Sequence, residues 1–287
     1  MNIHVLGDGC LHINTFLDES RDNFDLQKIS ISPGGSATNI ARQLNKLDVS
    51  VKFHALIGED ELGSLYCSLL EREGISTEYI KHAGRTTKVL IGLNKYGNTK
   101  LTVDAQQVDV KRMSDNLSLI EENDLVYIPG FPNYEDLINS LTSKKITLFS
   151  DIGFIPYSRD WSVYKEKIVA LSKKVDVILA SGFSFEQELF QDLQKEIKES
   201  RCQELIITFG NKGVMLVNQK GISYIKTKSV KEINSIGAGD CFFAGIIHGH
   251  LNNLSFSEKV KQAQIIAAIK IQELDIIPSL EEVKQHL

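Results

Sequence analysis

From about Asp124 onward, short apolar runs alternate with amphipathic stretches: Leu125-Val126-Tyr127-Ile128, Ile146-Thr147-Leu148-Phe149, Val175-Asp176-Val177-Ile178-Leu179 and Leu205-Ile206-Ile207-Thr208. The stretches between them, such as Glu135 to Leu141 and Glu186 to Ile197, place apolar residues at helical spacing. That punctuation predicts βαβ units with right-handed crossovers covering both faces of a parallel sheet. The expected core is a three-layer α/β/α sandwich around a mostly parallel central sheet. Two segments break the pattern, Asn14 to Ile31 and Thr77 to Val103. There, alternation as in Lys88-Val89-Leu90-Ile91-Gly92-Leu93 and the turn Tyr96-Gly97-Asn98 predict antiparallel hairpins forming a small β-sheet lid. The sequence carries no internal repeat, low-complexity tract or linker rich in Pro, Gly and Ser. One domain over 1–287 is therefore expected, with lid segments at about 14–31 and 77–103.

Composition narrows the chemistry. With 287 residues, 42% hydrophobic and 24% charged, the chain can bury a large core. A formal net charge of -5 and the lack of any dense Lys/Arg run argue against a nucleic-acid partner, whose binding would rest on neutralised phosphates. A small soluble substrate fits better. Cys10, Cys67, Cys202 and Cys241 are scattered without a C-x-x-C pair, which predicts reduced, mostly buried thiols and neither a zinc site nor a disulfide framework. The first residues, Met1 to Gly7, lack a basic n-region and a long apolar h-region, and no stretch reaches the length of a membrane span. The expectation is a cytoplasmic protein with no membrane partner.

The densest chemical signal is Asn234-Ser235-Ile236-Gly237-Ala238-Gly239-Asp240-Cys241-Phe242-Phe243. Phe242, Phe243, Ile246, Ile247 and Leu251 recur at helical spacing, so a buried helix is predicted to start at about Gly239 or Asp240. A glycine-rich turn entering a helix is an anion site, because first-turn amides point outward with the positive end of the helix dipole behind them. Phosphoryl transfer needs such donors, together with a carboxylate that takes the proton of the attacking hydroxyl. Taken alone, Asp240 serves equally well as a helix cap.

Gly237-Ala238-Gly239-Asp240 followed by Phe242 resembles the C-terminal signature of the ribokinase (PfkB) carbohydrate kinases. In that family the Asp is the catalytic base and the Gly-Ala-Gly amides form the anion hole. Two further stretches match in order. Gly34-Gly35-Ser36-Ala37-Thr38-Asn39, leading into Ile40, Ala41, Leu44 and Leu47, resembles the N-terminal signature. Its Gly34, Gly35 and Asn39 would line the sugar site, where glycines admit a polyol and an amide both donates and accepts. Thr208-Phe209-Gly210-Asn211-Lys212-Gly213 resembles the nucleotide-binding loop, with Thr208, Gly210 and Gly213 as its contacts; without the family it would read as a plain strand-to-strand turn. Leu56-Ile57-Gly58-Glu59-Asp60 with Gly63, and the late helix containing Ile265, Ala267 and Ala268, complete the resemblance along the whole chain. It implies ATP with Mg2+ as donor, a sugar or nucleoside as acceptor, and a lid that excludes water during transfer. Lid-mediated dimers occur in the family, which leaves a homodimer through the lid open.

The sequence also departs from the family. His12 stands where an Asp usually holds acceptor hydroxyls, a change from a permanent anion to a group that titrates near neutral pH. It fits either an altered acceptor, such as one carrying an anionic group, or a partly buried structural His. Asn234 stands where many members have an Asp beside a monovalent-cation site, and Ser181 where an Asn usually opens an N-x-x-E motif. Potassium dependence is therefore open, and no residue is assigned to metal; Glu186 and Glu188 read as helix-face acids. Two other classes compete. Gly7-Asp8-Gly9-Cys10-Leu11-His12 approaches the dinucleotide fingerprint of NAD-dependent oxidoreductases but lacks the third glycine. A non-catalytic relative that kept the fold is disfavoured by the intact Asp240 and its glycine turn.

Overall fold

The computed structural model describes residues 1–20, 23–94, 99–105, 109–152, 160–182, 187–272 and 277–286. They group into two compact units, Met1–His4 with Leu117–Ser229, and Val5–Asn116 with Val230–Leu287. The chain opens with β1 (Ile3–Asp8), β2 (Cys10–Ser20) and β3 (Asn23–Gly34), then α1 (Ser36–Lys46), β4 (Lys52–Ile57), α2 (Glu61–Arg72), β5 (Lys81–His82), β6 (Thr87–Asn94) and β7 (Thr99–Asp104). Next come β8 (Leu125–Tyr127), α3 (Glu135–Thr142), β9 (Thr147–Asp151), α4 (Trp161–Ser172), β10 (Val177–Ser181), α5 (Gln187–Lys198), β11 (Glu204–Thr208), β12 (Val214–Asn218) and β13 (Gly221–Ile225). Helices α6 (Ala238–Leu251), α7 (Phe256–Ile271) and α8 (Leu280–Lys284) close the chain. Among the described residues no helix is long and apolar enough to cross a membrane.

In the first unit the four apolar runs become β8, β9, β10 and β11, parallel and neighbouring in sequence order. Each step is joined by a helix, since parallel neighbours need a crossover. The connections to β12 and β13 are too short for one, so these two strands pair antiparallel. Two buried carboxylates tie the loops at the strand ends. Asp176 accepts from the Leu148 amide at 2.7 Å and from Arg201 Nε and Nη2 at 3.1 and 2.9 Å. Asp124 accepts from the amides of Asn2 and Glu121 at 2.6 and 2.9 Å and faces His4 Nε2 at 3.2 Å.

The second unit holds the order β1-β4-β5 and a separate four-stranded sheet, β3-β2-β6-β7. As predicted, β2/β3 and β6/β7 are antiparallel hairpins, but the two are joined by a parallel β2–β6 pairing. The stretch from Thr77 to Thr86 does not enter this sheet: Lys81–His82 pairs instead with Leu56–Ile57 of β4. Asp60 accounts for the change of course, because it caps α2 at the Gly63 amide (2.9 Å) and also takes the Thr86 amide (3.0 Å) and hydroxyl. The turn Tyr96-Gly97-Asn98 lies outside the described residues.

Helix α1 buries Ala37, Ile40, Ala41 and Leu44, and α6 buries every residue from Cys241 to Ile247. A Cβ on Gly245 would stand 2.8 Å from Ala263 Cα, and one on Gly249 2.6 Å from Lys259 Cγ. Glycine thus lets α6 and α7 cross in contact. Leu47, Cys241, Ile266 and Val283 form a common core beneath them.

Burial raises the Asp124 carboxyl, but the Asn2 and Glu121 amides and His4 outweigh it and hold the group below its ordinary 3.8. Its stabilising contribution is therefore complete at neutral pH and fades as pH falls below 3.8 and through the lower folded-state value. Asp124→Ala should lower unfolding stability by about 2–3 kcal/mol at pH 7, because two amides lose their acceptor. Urea midpoints at pH 7 and in acid should show that deficit shrinking as pH drops.

Candidate active site

Helix α6 begins at Ala238, one or two residues earlier than its apolar spacing predicted, because Gly237 turns the chain in with φ 78°. That left-handed conformation favours glycine. The Asp240 carboxylate in the first turn takes one hydrogen bond on each oxygen, from Ser36 Oγ at 2.6 Å and from Asn39 Nδ2 at 2.7 Å. Both donors sit in the first turn of α1, entered through Gly35 with φ 102°. A Cβ at Gly35 would come within 2.7 Å of the Asp8 carbonyl oxygen, so the approach of β1's end to α1 depends on glycine. Of the amides in the Gly-Ala-Gly turn, that of Ala238 donates to Ser235 O at 3.1 Å. Gly239 is exposed, and a Cβ there would meet nothing within 4 Å. The helix start thus opens onto free space beside a fixed carboxylate.

A polar cleft adjoins this start, with Gly237 in its wall. From the small sheet it receives His12, Asn14 and Ser32. The His12 ring lies directly over Gly34: a Cβ at 34 would stand 2.1 Å from Nε2. Asn14 Nδ2 donates to Ser30 Oγ and Ser32 Oγ at 3.3 and 3.4 Å. From α1 come Asn39 and Arg42, the latter fixed by Glu73 through Nε at 2.7 Å and Nη2 at 2.5 Å. Asn234, 5% exposed, accepts from the Ile236 amide at 3.1 Å and joins the wall. Lys270, 7% exposed, reaches the cleft from the last turn of α7. Cys241 completes this side; burial, with Asp240 in support, pushes its thiol up to about 12, while the Lys270 and Arg42 charges act against the rise.

His12, Gly34, Gly35, Asn39, Gly237, Ala238, Gly239 and Asp240 therefore belong to one unit, and Asn39 touches Asp240 directly. Asn14, Ser32, Ser36, Arg42 and Lys270 join the site without being among the residues the sequence motifs name as contacts. Arg42 carried a usable signal, standing three residues after Asn39 on one helix face; Lys270 carried a fainter one, as a cation inside an apolar run. Thr208, Gly210 and Gly213 belong to the other unit. Gly210 and Gly213 have φ 57° and 123° in the tight β11–β12 connection, and a Cβ at Gly213 would meet Ile225 O at 2.4 Å. Ser181 ends β10 exposed, and Glu188 is an exposed residue of α5. Glu186 lies outside the described residues. Gly7-Asp8-Gly9 leads from β1 straight into β2 without the helix that a dinucleotide fingerprint requires.

Residues 4–283 match the pattern of the pfkB family carbohydrate kinases. The chain belongs to that family. It is 25% identical over 242 residues to an uncharacterized sugar kinase of Archaeoglobus fulgidus, covering 80% of this chain and 94% of the relative. It is 21% identical to an ATP-dependent 6-phosphofructokinase of Thermoanaerobacterium thermosaccharolyticum, covering 97% and 91%. Ribokinase of Thermotoga maritima superposes with a TM-score of 0.77 at 18% identity, over 99% of this chain and 98% of that one, which establishes the ribokinase-like fold. As a pfkB-family kinase the protein is an enzyme, a carbohydrate kinase that uses ATP.

Within this pfkB-family chain, Gly34→Ala should destabilise by about 1–3 kcal/mol, since its methyl group collides with the His12 ring. The same substitution in a His12→Ala background should cost less than half as much. Equal costs in the two backgrounds, read from urea unfolding, would contradict the contact.

Proposed function

We propose that this pfkB-family enzyme phosphorylates a hydroxymethyl group of a sugar or sugar derivative, with Asp240 as general base. The supporting observation is the Asp240 carboxylate, held on both oxygens beside an open helix start. The Ser36 hydroxyl donates to Asp240 at 2.6 Å, the hydrogen bond an acceptor alcohol would make to the same carboxylate. As that alcohol loses its proton to Asp240, its oxygen bonds to the γ-phosphorus and the bond to the β-bridging oxygen breaks. Charge spreads over the transferring oxygens, where first-turn amides of α6 and the helix dipole oppose it without reorganising.

For the nucleotide, the left-handed glycines Gly210 and Gly213 after Thr208 offer backbone to adenosine and phosphates. Among the described residues no three His, Cys, Asp or Glu side chains converge as a metal cage requires. A magnesium ion held mainly by nucleotide phosphates and water needs no such cage, and it would offset phosphate charge when bound. The Asn234 side-chain oxygen is already engaged by the Ile236 amide, so added potassium has little to contribute.

Asp240→Asn should keep the fold and ATP affinity while lowering turnover by about 100- to 10,000-fold, the usual reach of a general base. Acceptor-dependent ADP release across sugars, sugar phosphates and nucleosides reads it; near-normal turnover would remove Asp240 from the role. Initial rates should change less than twofold when potassium replaces a bulky organic cation, and strong activation would refute the reading of Asn234.

A further inference from the structure

We propose that the recess between α3 and α4 binds a small amphipathic anion, one ring or short alkyl chain bearing a carboxylate or phosphate, with Lys167 as its counter-ion. The recess is lined by residues 130 to 174, all within the unit of Met1–His4 with Leu117–Ser229, which does not contain Asp240. It is therefore a second site, separate from the proposed reaction. Its volume is about 150 Å³. An apolar cavity of about that size holds one benzene ring, which sets the scale of the occupant.

Sequence and packing make the lining apolar. Phe131 and Pro132 follow β8, Ile138 comes from α3, and Ala170 and Leu171 come from α4. Lys167, Ala170, Leu171 and Lys174 recur at spacings of three, one and three, so a single face of α4 and its end supplies them. Glu135 and Ile138 face them from α3, again three residues apart. A Cβ at Gly130 would stand 2.4 Å from Asp151 O and 2.9 Å from Leu171 Cδ2, so glycine there lets Leu171 lie against the chain leaving β8. Ile138 and Leu171 are buried, while Phe131, Pro132 and Ala170 around them stay exposed. That leaves contiguous apolar surface for an occupant to cover.

Charge selects the head group. Lys174 is already paired with Glu135 at 2.7 Å. Lys167 is half-buried and makes no hydrogen bond or ion pair among the described residues. The lining thus holds two cations against one carboxylate, and the surplus charge belongs to Lys167. An anion placed there pairs with the ammonium beside apolar walls, where attraction is screened less than in open water. A neutral molecule of the same shape covers the same apolar surface and gains nothing from Lys167.

The test compares phenylacetate and phenyl phosphate, each one ring with one anionic head, with neutral 2-phenylethanol. Titration calorimetry on the unaltered protein, with ADP at saturation to fill the nucleotide site, should show at least one anion binding about tenfold or more tightly than the alcohol. The two anions distinguish a carboxylate ligand from a phosphate one. Lys167→Met should erase the preference and Lys167→Arg should keep it. Ala170→Phe, at an exposed position, should fill the recess and remove binding of all three compounds. Equal binding of anions and alcohol overturns the proposal, as does the absence of binding or a preference that survives Lys167→Met. Should Lys167→Met fail to fold, Ala170→Phe decides, and anion binding that persists in it overturns the proposal. Sedimentation that shows a dimer rendered monomeric by Ala170→Phe assigns the recess to a second copy of the chain and likewise overturns it.

Discussion

Two hydrogen bonds onto Asp240, from Ser36 at 2.6 Å and Asn39 at 2.7 Å, bind together the first turns of two helices that lie about two hundred residues apart in the chain. The cleft beside Asp240 depends on that junction. Both helix starts are entered through glycines with positive φ, Gly35 and Gly237, so neither turn could be made cheaply by another residue. The junction is held from behind by apolar packing: Ile40, Ala41 and Leu44 of α1 are fully buried, as are Phe243, Ile246 and Ile247 of α6. A carboxylate gripped on both oxygens loses rotational freedom before any ligand arrives, which is what pre-organised acid–base chemistry requires.

Charge and close approach complete the site. Glycine at 34 lets an imidazole lie flat against the backbone, and glycine at 245 lets α7 approach α6 closely enough for Lys270 to reach the cleft wall. Among the described residues the wall carries amides, hydroxyls and two basic side chains, Arg42 and Lys270, with Glu73 paired to the first, although the chain as a whole carries a formal net charge of -5. Overall charge governs solubility and steering, whereas local charge governs what is bound.

The apolar runs at 125–128, 146–149, 175–179 and 205–208 were enough to foresee β8 to β11 and their parallel order, because a buried strand must be apolar and each gap was long enough for a crossover helix. The turn at 237–240 was legible for the same kind of local reason. The β2–β6 pairing and the diversion of residues 81–82 to β4 were not, since strand partners are chosen by long-range contacts such as the grip of Asp60 on Thr86. Lys270 and Arg42 are not legible in the same way: a lysine near a helix end and an arginine on a helix face ordinarily face water, and only the packing of α1, α6 and α7 shows which way theirs point. Ser36 stands in a glycine-rich motif, where a serine reads as an ordinary turn residue.

In the proposed reaction the acceptor's reacting hydroxyl rests on Asp240. A crystal structure of the enzyme with a non-hydrolysable ATP analogue and an acceptor would show this placement. A hydroxyl oxygen should lie about 2.6–3.2 Å from an Asp240 carboxylate oxygen. An acceptor bound with its hydroxyls directed away from Asp240, or a carboxylate still shielded by Ser36 and Asn39 with no alcohol in reach, would contradict it.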